Sequence, residues 1–291
     1  MLKVKSFAKV NLALAVLGRR EDGFHEIRTV FQTIDLHDEL EFHPCPELRL
    51  ECHNLPDVSE QDNIVWKAAQ ALERTISPGQ GVRIVLRKKL PAGSGLGAGS
   101  ANAAAALLGL CRFWGISVPE PDIRGIAASL GSDVPFFLHG GTALGIGRGE
   151  EIYPLPESRQ AYLVVICPPV HISTAEAYRS LNLKLTSGAD VNRIQRFCGQ
   201  LRSGSLPLAE IFNDFETSIL PAHPEIREAK AFLQKQGALA VLLSGSGSSV
   251  FGFFIDEESA LAASRNAIRE SWRAFPAKTL SGAQYFQQMF G

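Results

Sequence analysis

The 291-residue sequence carries almost no net charge, with 29 lysines and arginines against 30 aspartates and glutamates. A chain with this balance has no general electrostatic attraction for nucleic acid or for an anionic membrane surface. We therefore expect neither as a partner. We expect instead a small-molecule substrate, whose charges are met by local amides and a few cations.

Cysteines and long apolar runs are also scarce. The five cysteines are scattered and include no C-x-x-C pair, which predicts free thiols in a reducing compartment. No apolar run approaches the roughly 18 residues of a membrane helix, and the opening MLKVKSFAK lacks a signal-peptide core. These features predict a cytoplasmic protein. His43, Cys45, Cys52 and His53 lack a recognised metal-site spacing, so we predict no metal centre there.

A glycine-rich stretch, LPAGSGLGAGSANAAAALL from Leu90 to Leu108, is the most informative part of the sequence. Its glycines allow positive φ angles and a close approach of the backbone to a ligand. The alanine-rich run that follows is strongly helix-forming. Because the first N–H groups of a helix have no intrahelical partner, a phosphate would be bound near Gly99 and Ser100.

Three other interpretations of this stretch fit the sequence less well. A simple turn capped by Ser100 requires one or two glycines, not four. Gly93, Gly95 and Ala98 fit the G-x-G-x-x-A dinucleotide fingerprint, but the acidic residue expected about 20 positions later, Glu120, lies in a proline-broken loop. No lysine follows the last glycine, which excludes the Walker form. The pattern therefore favours a phosphate-binding loop of another kind.

The N-terminal half places polar residues beside predicted regular elements. Ser6 to Leu17 alternate as a strand with Lys9 and Asn11 on one face, either a solvated face or a binding surface. A polar loop carrying Phe24 and His25 follows. Asp62 or Asn63 caps a predicted amphipathic helix.

Two further features of this half lie close to the glycine stretch. Val82 to Leu86 form a strand that ends in Arg87, Lys88 and Lys89, either a solvated strand end or a nucleotide contact. Asp133, between the helix stop Gly131 and an apolar run, is either a turn residue or a catalytic carboxylate.

A proline-containing linker around Pro154 to Gln160 predicts two domains, residues 1–156 and 157–291. Strand Tyr162 to Cys167 opens the second, followed by a capped helix, STAEAYRSL. We predict a polar, partly mobile stretch from Lys184 to Ser205, then helices beginning at NDFE and at HPEIREA. A hairpin needs only two loop residues, yet six small residues separate Leu243 from Val250. We therefore predict a second backbone surface that faces the first glycine loop.

Together these features suit phosphoryl transfer, a reaction that depends on positioning and charge neutralisation, with a carboxylate to accept the hydroxyl proton. The glycine loop resembles the second motif of the GHMP small-molecule kinases, AKVNLAL the first and SGSGSSVF the third. DGFHEI, GSDVPFF and NDFE are similar to the branch whose alcohol substrate carries cytidine diphosphate, rather than to mevalonate, homoserine or galactose kinases. The resemblance implies an α/β (α+β) two-domain fold, with an N-terminal domain like ribosomal S5 domain 2 and a ferredoxin-like C-terminal domain.

The resemblance also implies residue roles. Asp133 would be the general base, Lys9 its cationic partner, and Asn11 a contact to the acceptor alcohol. Cytosine would lie between Phe24 and Tyr178, with His25 reading the base edge and Thr174 nearby. The residues implied to bind ATP are Asn63, Lys88, Pro91, Gly93, Ser94, Gly95, Leu96, Gly97, Ala98, Gly99, Ser100, Gly245, Ser246 and Gly247.

Mg²⁺ would bind to the ATP phosphates, with Ser100 as a candidate contact and no other protein ligand assigned. Phe24 stands where the family usually has tyrosine, and Ala101 replaces the second serine of the common G-S-S pattern. Another GHMP kinase with a different alcohol and a non-catalytic nucleotide-binding regulator are the alternatives, with a hydride-transfer enzyme as a remote third. We expect a monomer or a weak homodimer.

Overall fold

Two β-sheets organise the residues that the computed structural model describes, which are 1–54, 58–181, 188–270 and 272–291. The strands are β1 (Leu2–Arg19), β2 (His25–Pro44), β3 (Arg49–His53), β4 (Val82–Arg87), β5 (Thr142–Ile146), β6 (Glu151–Pro154), β7 (Tyr162–Cys167), β8 (Phe212–Asn213), β9 (Ala240–Leu243), β10 (Val250–Phe254) and β11 (Arg273–Lys278). The helices are α1 (Ile64–Ile76), α2 (Ala98–Trp114), α3 (Glu120–Leu130), α4 (Thr174–Ser180), α5 (Gly188–Leu201), α6 (Glu216–Ala222), α7 (Pro224–Lys235), α8 (Glu257–Arg269) and α9 (Gly282–Met289). None of these helices is long and apolar enough to cross a membrane.

The first sheet has the order β3-β4-β2-β1-β8, and β5 joins it through β2 and carries β6. The long hairpin β1–β2 is its centre, with Leu2 opposite Phe42 and Arg19 opposite His25. Side chains of β1 enter all three hydrophobic clusters that the described residues form, which explains why Val4 and every residue from Ser6 to Val16 are buried. The alternating apolar pattern of Ser6 to Leu17 therefore gave a strand, as predicted, but one covered on both faces.

The second sheet is antiparallel in the order β11-β7-β10-β9. In chain order these are its fourth, first, third and second strands, joined through helices between β7 and β9 and between β10 and β11. This is the split β-α-β arrangement of a ferredoxin-like fold, as the resemblance implied.

Two segments from the second half of the sequence join or pack against the first sheet. β8 pairs in parallel with β1. α9 packs near the same strand, with the ring of Tyr285 centred 5.8 Å from that of Phe7. The predicted division at residues 156 and 157 remains a prediction, and the chain crosses back over it in these two places.

Most of the stretch predicted as polar and partly mobile is helical. Residues 182–187 lie outside the described residues, but Gly188–Leu201 form α5. Ile194, Phe197 and Leu201 of this helix are almost fully buried in the cluster between the two sheets. Their spacing of three and four residues is the apolar face of a helix, and it is visible in the sequence despite the polar composition around it.

Candidate active site

A cleft of about 1180 Å³ gathers residues from both halves of the chain. It lies against β1, the glycine loop before α2, the turn before the 3₁₀ helix Pro135–Leu138, α4 and the loop between β9 and β10. The predicted site residues that line it are Lys9, Asn11, Phe24, His25, Pro91, Gly93, Ser94, Gly95, Gly97, Ala98, Gly99, Ser100, Asp133, Thr174, Tyr178, Gly245, Ser246 and Gly247.

The ammonium of Lys9 and the carboxylate of Asp133 meet in this cleft. Lys9 Nζ lies 3.3 Å from Asp133 Oδ2, with the lysine side chain 4% exposed and the aspartate side chain 31% exposed. The interpretation of Lys9 as a residue on a solvated strand face is therefore wrong, because β1 lies between β2 and β8 and is covered on both faces. The pair places a nearly buried cation beside a carboxylate that is open to the cleft.

Asn11 fixes the direction of the Lys9 side chain. Lys9 Nζ donates to Asn11 Oδ1 at 2.6 Å. Asn11 Nδ2 donates to Thr29 Oγ1 at 2.7 Å, and the Thr29 hydroxyl donates to the backbone oxygen of Ala13 at 2.8 Å. This chain of hydrogen bonds crosses from β1 to β2 and back, so the ammonium is held by a satisfied polar network inside the sheet.

The first glycine loop brings the start of α2 against Lys9. The N–H of Lys9 donates to the backbone oxygen of Leu96 at 3.0 Å. Gly97 begins the helix at φ +67°, and a Cβ there would lie only 3.0 Å from the lysine side chain. α2 has no side-chain hydrogen bond at its N-cap. Its first N–H groups are therefore available to a phosphate bound in the cleft.

The second glycine loop, between β9 and β10, contacts the first, as predicted. Ser244 Oγ donates to the backbone oxygen of Gly95 at 2.9 Å, and the Ser249 N–H donates to the backbone oxygen of Ser94 at 3.0 Å. Gly245 lies at φ +55°, and a Cβ there would come within 3.3 Å of Lys9 Nζ and of Asn11 Oδ1. The two loops thus enclose the Lys9 side of the cleft with backbone.

The NDFE motif holds the second loop, a role that sequence reasoning missed. Asn213 Nδ2 donates to the backbone oxygens of Leu243 and Gly245 at 2.9 and 2.8 Å. Glu216 Oε1 accepts from the Leu243 N–H at 2.9 Å. Nothing local in the sequence indicates these contacts, because the loop follows the motif by about thirty residues.

Aromatic side chains line the part of the cleft formed by the loop after β1, the start of β2 and α4, here called the aromatic end. The rings of His25 and Tyr178 are stacked, with centroids 4.5 Å apart and planes 16° apart. Phe24 is 52% exposed, and the guanidinium carbon of Arg148 lies 4.8 Å from its ring centre. Phe24 and Tyr178 therefore both reach the cleft, each with a ring face in contact with another side chain. Sequence reasoning did not predict Arg148 as a residue of the site, although its position between Gly147 and Gly149 in a polar loop was a signal for it.

Burial changes the acid–base behaviour of the rings at this end. Burial, with a smaller contribution from the positive charge of Arg19, lowers the pKa of His25 from its usual 6.5. Burial, followed by the negative charge of Asp133, raises the pKa of Tyr178 above its usual 10.0. Neutral His25 and protonated Tyr178 can each donate and accept hydrogen bonds, which suits reading the edge of an uncharged base.

Three predicted ATP residues do not line the cleft. Leu96 is fully buried, and its backbone oxygen accepts the Lys9 N–H. Asn63 caps α1 by accepting the Val65 N–H at 3.0 Å, while its Nδ2 is buried with no hydrogen-bond partner among the described residues. The Lys88 side chain is 6% exposed and its ammonium bonds to Asp38. Lys88 lines a smaller pocket together with Pro91, and its place near the adenine stays a prediction. Its neighbour Lys89 is the exposed one.

The chain is similar to known kinases over most of its length. The family described as GHMP kinases N terminal domain matches residues 63–141, and that described as GHMP kinases C terminal matches residues 200–274. A 4-diphosphocytidyl-2-C-methyl-D-erythritol kinase of Solibacter usitatus is 42% identical over 88% of this chain and 82% of that protein. The kinase of the same name from Geobacter sulfurreducens is 40% identical over 96% of this chain and 99% of that protein.

The fold matches that of a solved kinase. A crystal structure of 4-(cytidine 5'-diphospho)-2C-methyl-D-erythritol kinase matches with a TM-score of 0.80 at 31% identity, covering 96% of this chain and 99% of that one. The two sequence relatives and this solved structure are named for the same enzyme activity. The chain therefore belongs to the 4-diphosphocytidyl-2-C-methyl-D-erythritol kinase family of the GHMP kinases.

Proposed function

We propose that this protein transfers the γ-phosphoryl group of ATP to the 2-hydroxyl of 4-diphosphocytidyl-2-C-methyl-D-erythritol, giving the 2-phosphate and ADP. This is a reaction of the methylerythritol phosphate route to isopentenyl diphosphate. The observation that carries the proposal is the Lys9–Asp133 contact of 3.3 Å, in a cleft that also contains the uncapped N-terminus of α2.

Asp133 is the proposed general base. Its carboxylate is open to the cleft, where it can accept the proton of the 2-hydroxyl as that oxygen attacks the γ-phosphorus. The ammonium of Lys9 beside it neutralises charge that develops on the transferring group. ADP leaves with its phosphates on the backbone amides at the start of α2, where the glycine loop allows close approach.

Mg²⁺ is the proposed metal. Among the described residues, no group of three His, Cys, Asp and Glu side chains could hold a metal ion. Mg²⁺ in kinases is bound largely by substrate phosphates and waters, with one or two protein oxygens. The Ser100 hydroxyl and the Asp133 carboxylate both line the cleft and fit this limited set. When bound, Mg²⁺ neutralises phosphate charge.

The aromatic end of the cleft is the proposed cytidylyl site. Stacking on Phe24 or Tyr178 supplies affinity without selecting a base, since every base has an aromatic face. Selection therefore requires hydrogen bonds, which neutral His25 can make with a base edge. Thr174 lies at the same end, where its hydroxyl is 3.4 Å from that of Ser246 in the second glycine loop.

The direct test is ADP release from Mg·ATP, measured with 4-diphosphocytidyl-2-C-methyl-D-erythritol and, in parallel, with mevalonate, homoserine and galactose. ADP release without any acceptor is the background. We expect release above background with the cytidylyl substrate alone, and the phosphorylated product identified as the 2-phosphate.

Two other outcomes would change the assignment. Release with a different acceptor would retain phosphoryl transfer by Lys9 and Asp133 but remove the cytidylyl site. Nucleotide binding without release for any acceptor would support a non-catalytic regulator.

A further inference from the structure

A buried carboxylate outside the cleft joins the two ends of the first glycine loop. Asp38 lies on β2 and its side chain is 0% exposed. Hydrogen-bond donors converge on it from the segment before the loop and from the helix after it. Asp38 is not among the described residues that line the cleft.

The segment before the loop is held by its backbone. Asp38 Oδ1 accepts the N–H of Lys89 at 2.7 Å and that of Leu90 at 2.9 Å. The ammonium of Lys88 bonds to the other carboxylate oxygen. These three residues immediately precede Pro91, where the glycine loop begins. The carboxylate therefore fixes both the backbone that enters the loop and the side chain of Lys88.

The helix after the loop is held by one amide side chain. Asn102 lies one turn inside α2, and its Nδ2 donates to Asp38 Oδ2 at 2.9 Å. Asn102 Oδ1 accepts from Lys88 Nζ at 3.1 Å. Asn102 is 1% exposed, and its Nδ2 also lies 3.2 Å from the Ser6 hydroxyl on β1. Asp38, Lys88 and Asn102 therefore bond to one another across the base of the loop.

We infer that Asp38, Lys88 and Asn102 form a loop clamp, a set of positioning residues that holds the phosphate-binding loop in its working shape. Glycines give the loop its course but leave its backbone free to adopt many others. The clamp removes that freedom by fixing the distance between the end of β4 and the first turn of α2. Its hydrogen bonds are charge-assisted and buried, which makes them short and directional.

The inference rests on the proposed function only in naming ATP as the ligand. A clamp of this kind predicts a specific kinetic effect, because it supports the ATP side of the cleft and not the aromatic end. Loss of the clamp should weaken ATP binding and misalign the γ-phosphate, and should leave the KM for the cytidylyl substrate nearly unchanged.

The first test compares Asn102→Ala with Leu110→Ala. Both positions lie on α2 and are buried, but Leu110 belongs to the apolar core and contacts no clamp residue through a hydrogen bond. For Asn102→Ala we expect kcat/KM for ATP to fall about tenfold to a hundredfold, as small misplacements in active sites do. We expect the dissociation constant for ADP, measured by calorimetry, to rise in parallel. Leu110→Ala should lower Tm without either change.

A second variant keeps the test valid if single changes unfold the protein. Asp38→Asn combined with Lys88→Met removes both buried charges together and so leaves no unpaired ion in the core. It should fold and show the same selective loss for ATP.

Three results would overturn the clamp. They are a folded Asn102→Ala protein whose ATP kinetics and ADP affinity stay within about twofold of wild type, an equal loss in Leu110→Ala, or an equal rise in KM for both substrates. Failure of the proposed function would be seen separately, as absence of ADP release by the wild-type protein, and ADP calorimetry would still test the clamp.

Discussion

Gly95 contacts the second glycine loop, and its replacement by alanine is a direct test of the cleft geometry. The residue has φ +80°, and a Cβ added to it would lie 2.1 Å from the backbone oxygen of Ser244. Cβ atoms essentially never approach other heavy atoms closer than 3.0 Å, so the loops must separate by about 1 Å to admit the methyl group.

Two effects determine how much stability the Gly95→Ala protein loses. A residue with a Cβ in the left-handed region costs roughly 1–2 kcal/mol. Separation of the loops also weakens the bonds from Ser244 Oγ to Gly95 and from the Ser249 N–H to Ser94, each worth about 1 kcal/mol. We therefore expect the free energy of unfolding to fall by about 2–4 kcal/mol. Because a 1 Å displacement at an active site costs on the order of a hundredfold in rate, kcat/KM for ATP should fall by about that factor.

Thermal unfolding and steady-state ADP release measure the two effects on the same samples. Gly125→Ala is the matched control, since Gly125 lies inside α3 with nothing within 4 Å of an added Cβ. It should stabilise the protein by roughly 0.5–1 kcal/mol and leave the kinetics unchanged. A Gly95→Ala protein with kcat/KM for ATP within about threefold of wild type would refute the proposed contact of the loops with the nucleotide.

Three further predictions concern chemistry and the base site. Asp133→Asn should lower kcat by orders of magnitude while ATP and the cytidylyl substrate still bind, since little volume changes; undiminished turnover would remove Asp133 as the base. Phe24→Ala should weaken binding of the cytidylyl substrate by about 1–3 kcal/mol in calorimetry, and an unchanged binding constant would exclude stacking on Phe24. Burial and Arg19 lower the pKa of His25 from 6.5, so the ring is neutral at about pH 7 and gains its proton only as pH falls through the lowered value. KM for the cytidylyl substrate should therefore stay constant at and above pH 6.5 and rise only at lower pH, as the ring gains its proton, whereas a rise that begins above pH 6.5 would contradict the neutral ring.

The sequence by itself determined much of the local structure. Alternation over Ser6 to Leu17 predicted β1 and placed Lys9 and Asn11 on one face, and their side chains are hydrogen-bonded. Asn63 caps α1, and Gly131 follows the last residue of α3, as their positions predicted. These features depend on neighbours a few residues away, through the strand period, capping preferences and the conformational freedom of glycine.

The glycine loop and the family motifs also indicated the chemistry before any fold was known. Motif order, however, does not show that distant residues touch. Lys9 and Asp133 are brought to 3.3 Å only because β1 and the turn before the 3₁₀ helix flank the start of α2. Likewise, the resemblance implied the ferredoxin-like sheet, whose strand order no local pattern specifies.

Only the tertiary structure decided which of two adjacent lysines is buried. Lys88 and Lys89 are chemically identical in the sequence, yet their side chains are 6% and 53% exposed. Lys88 is directed inward because Asp38, fifty residues earlier, supplies a buried carboxylate, while Lys89 pairs with Glu39 at the surface. An ion can be buried only where another part of the chain provides its partner, and that partner is set by how the strands pack.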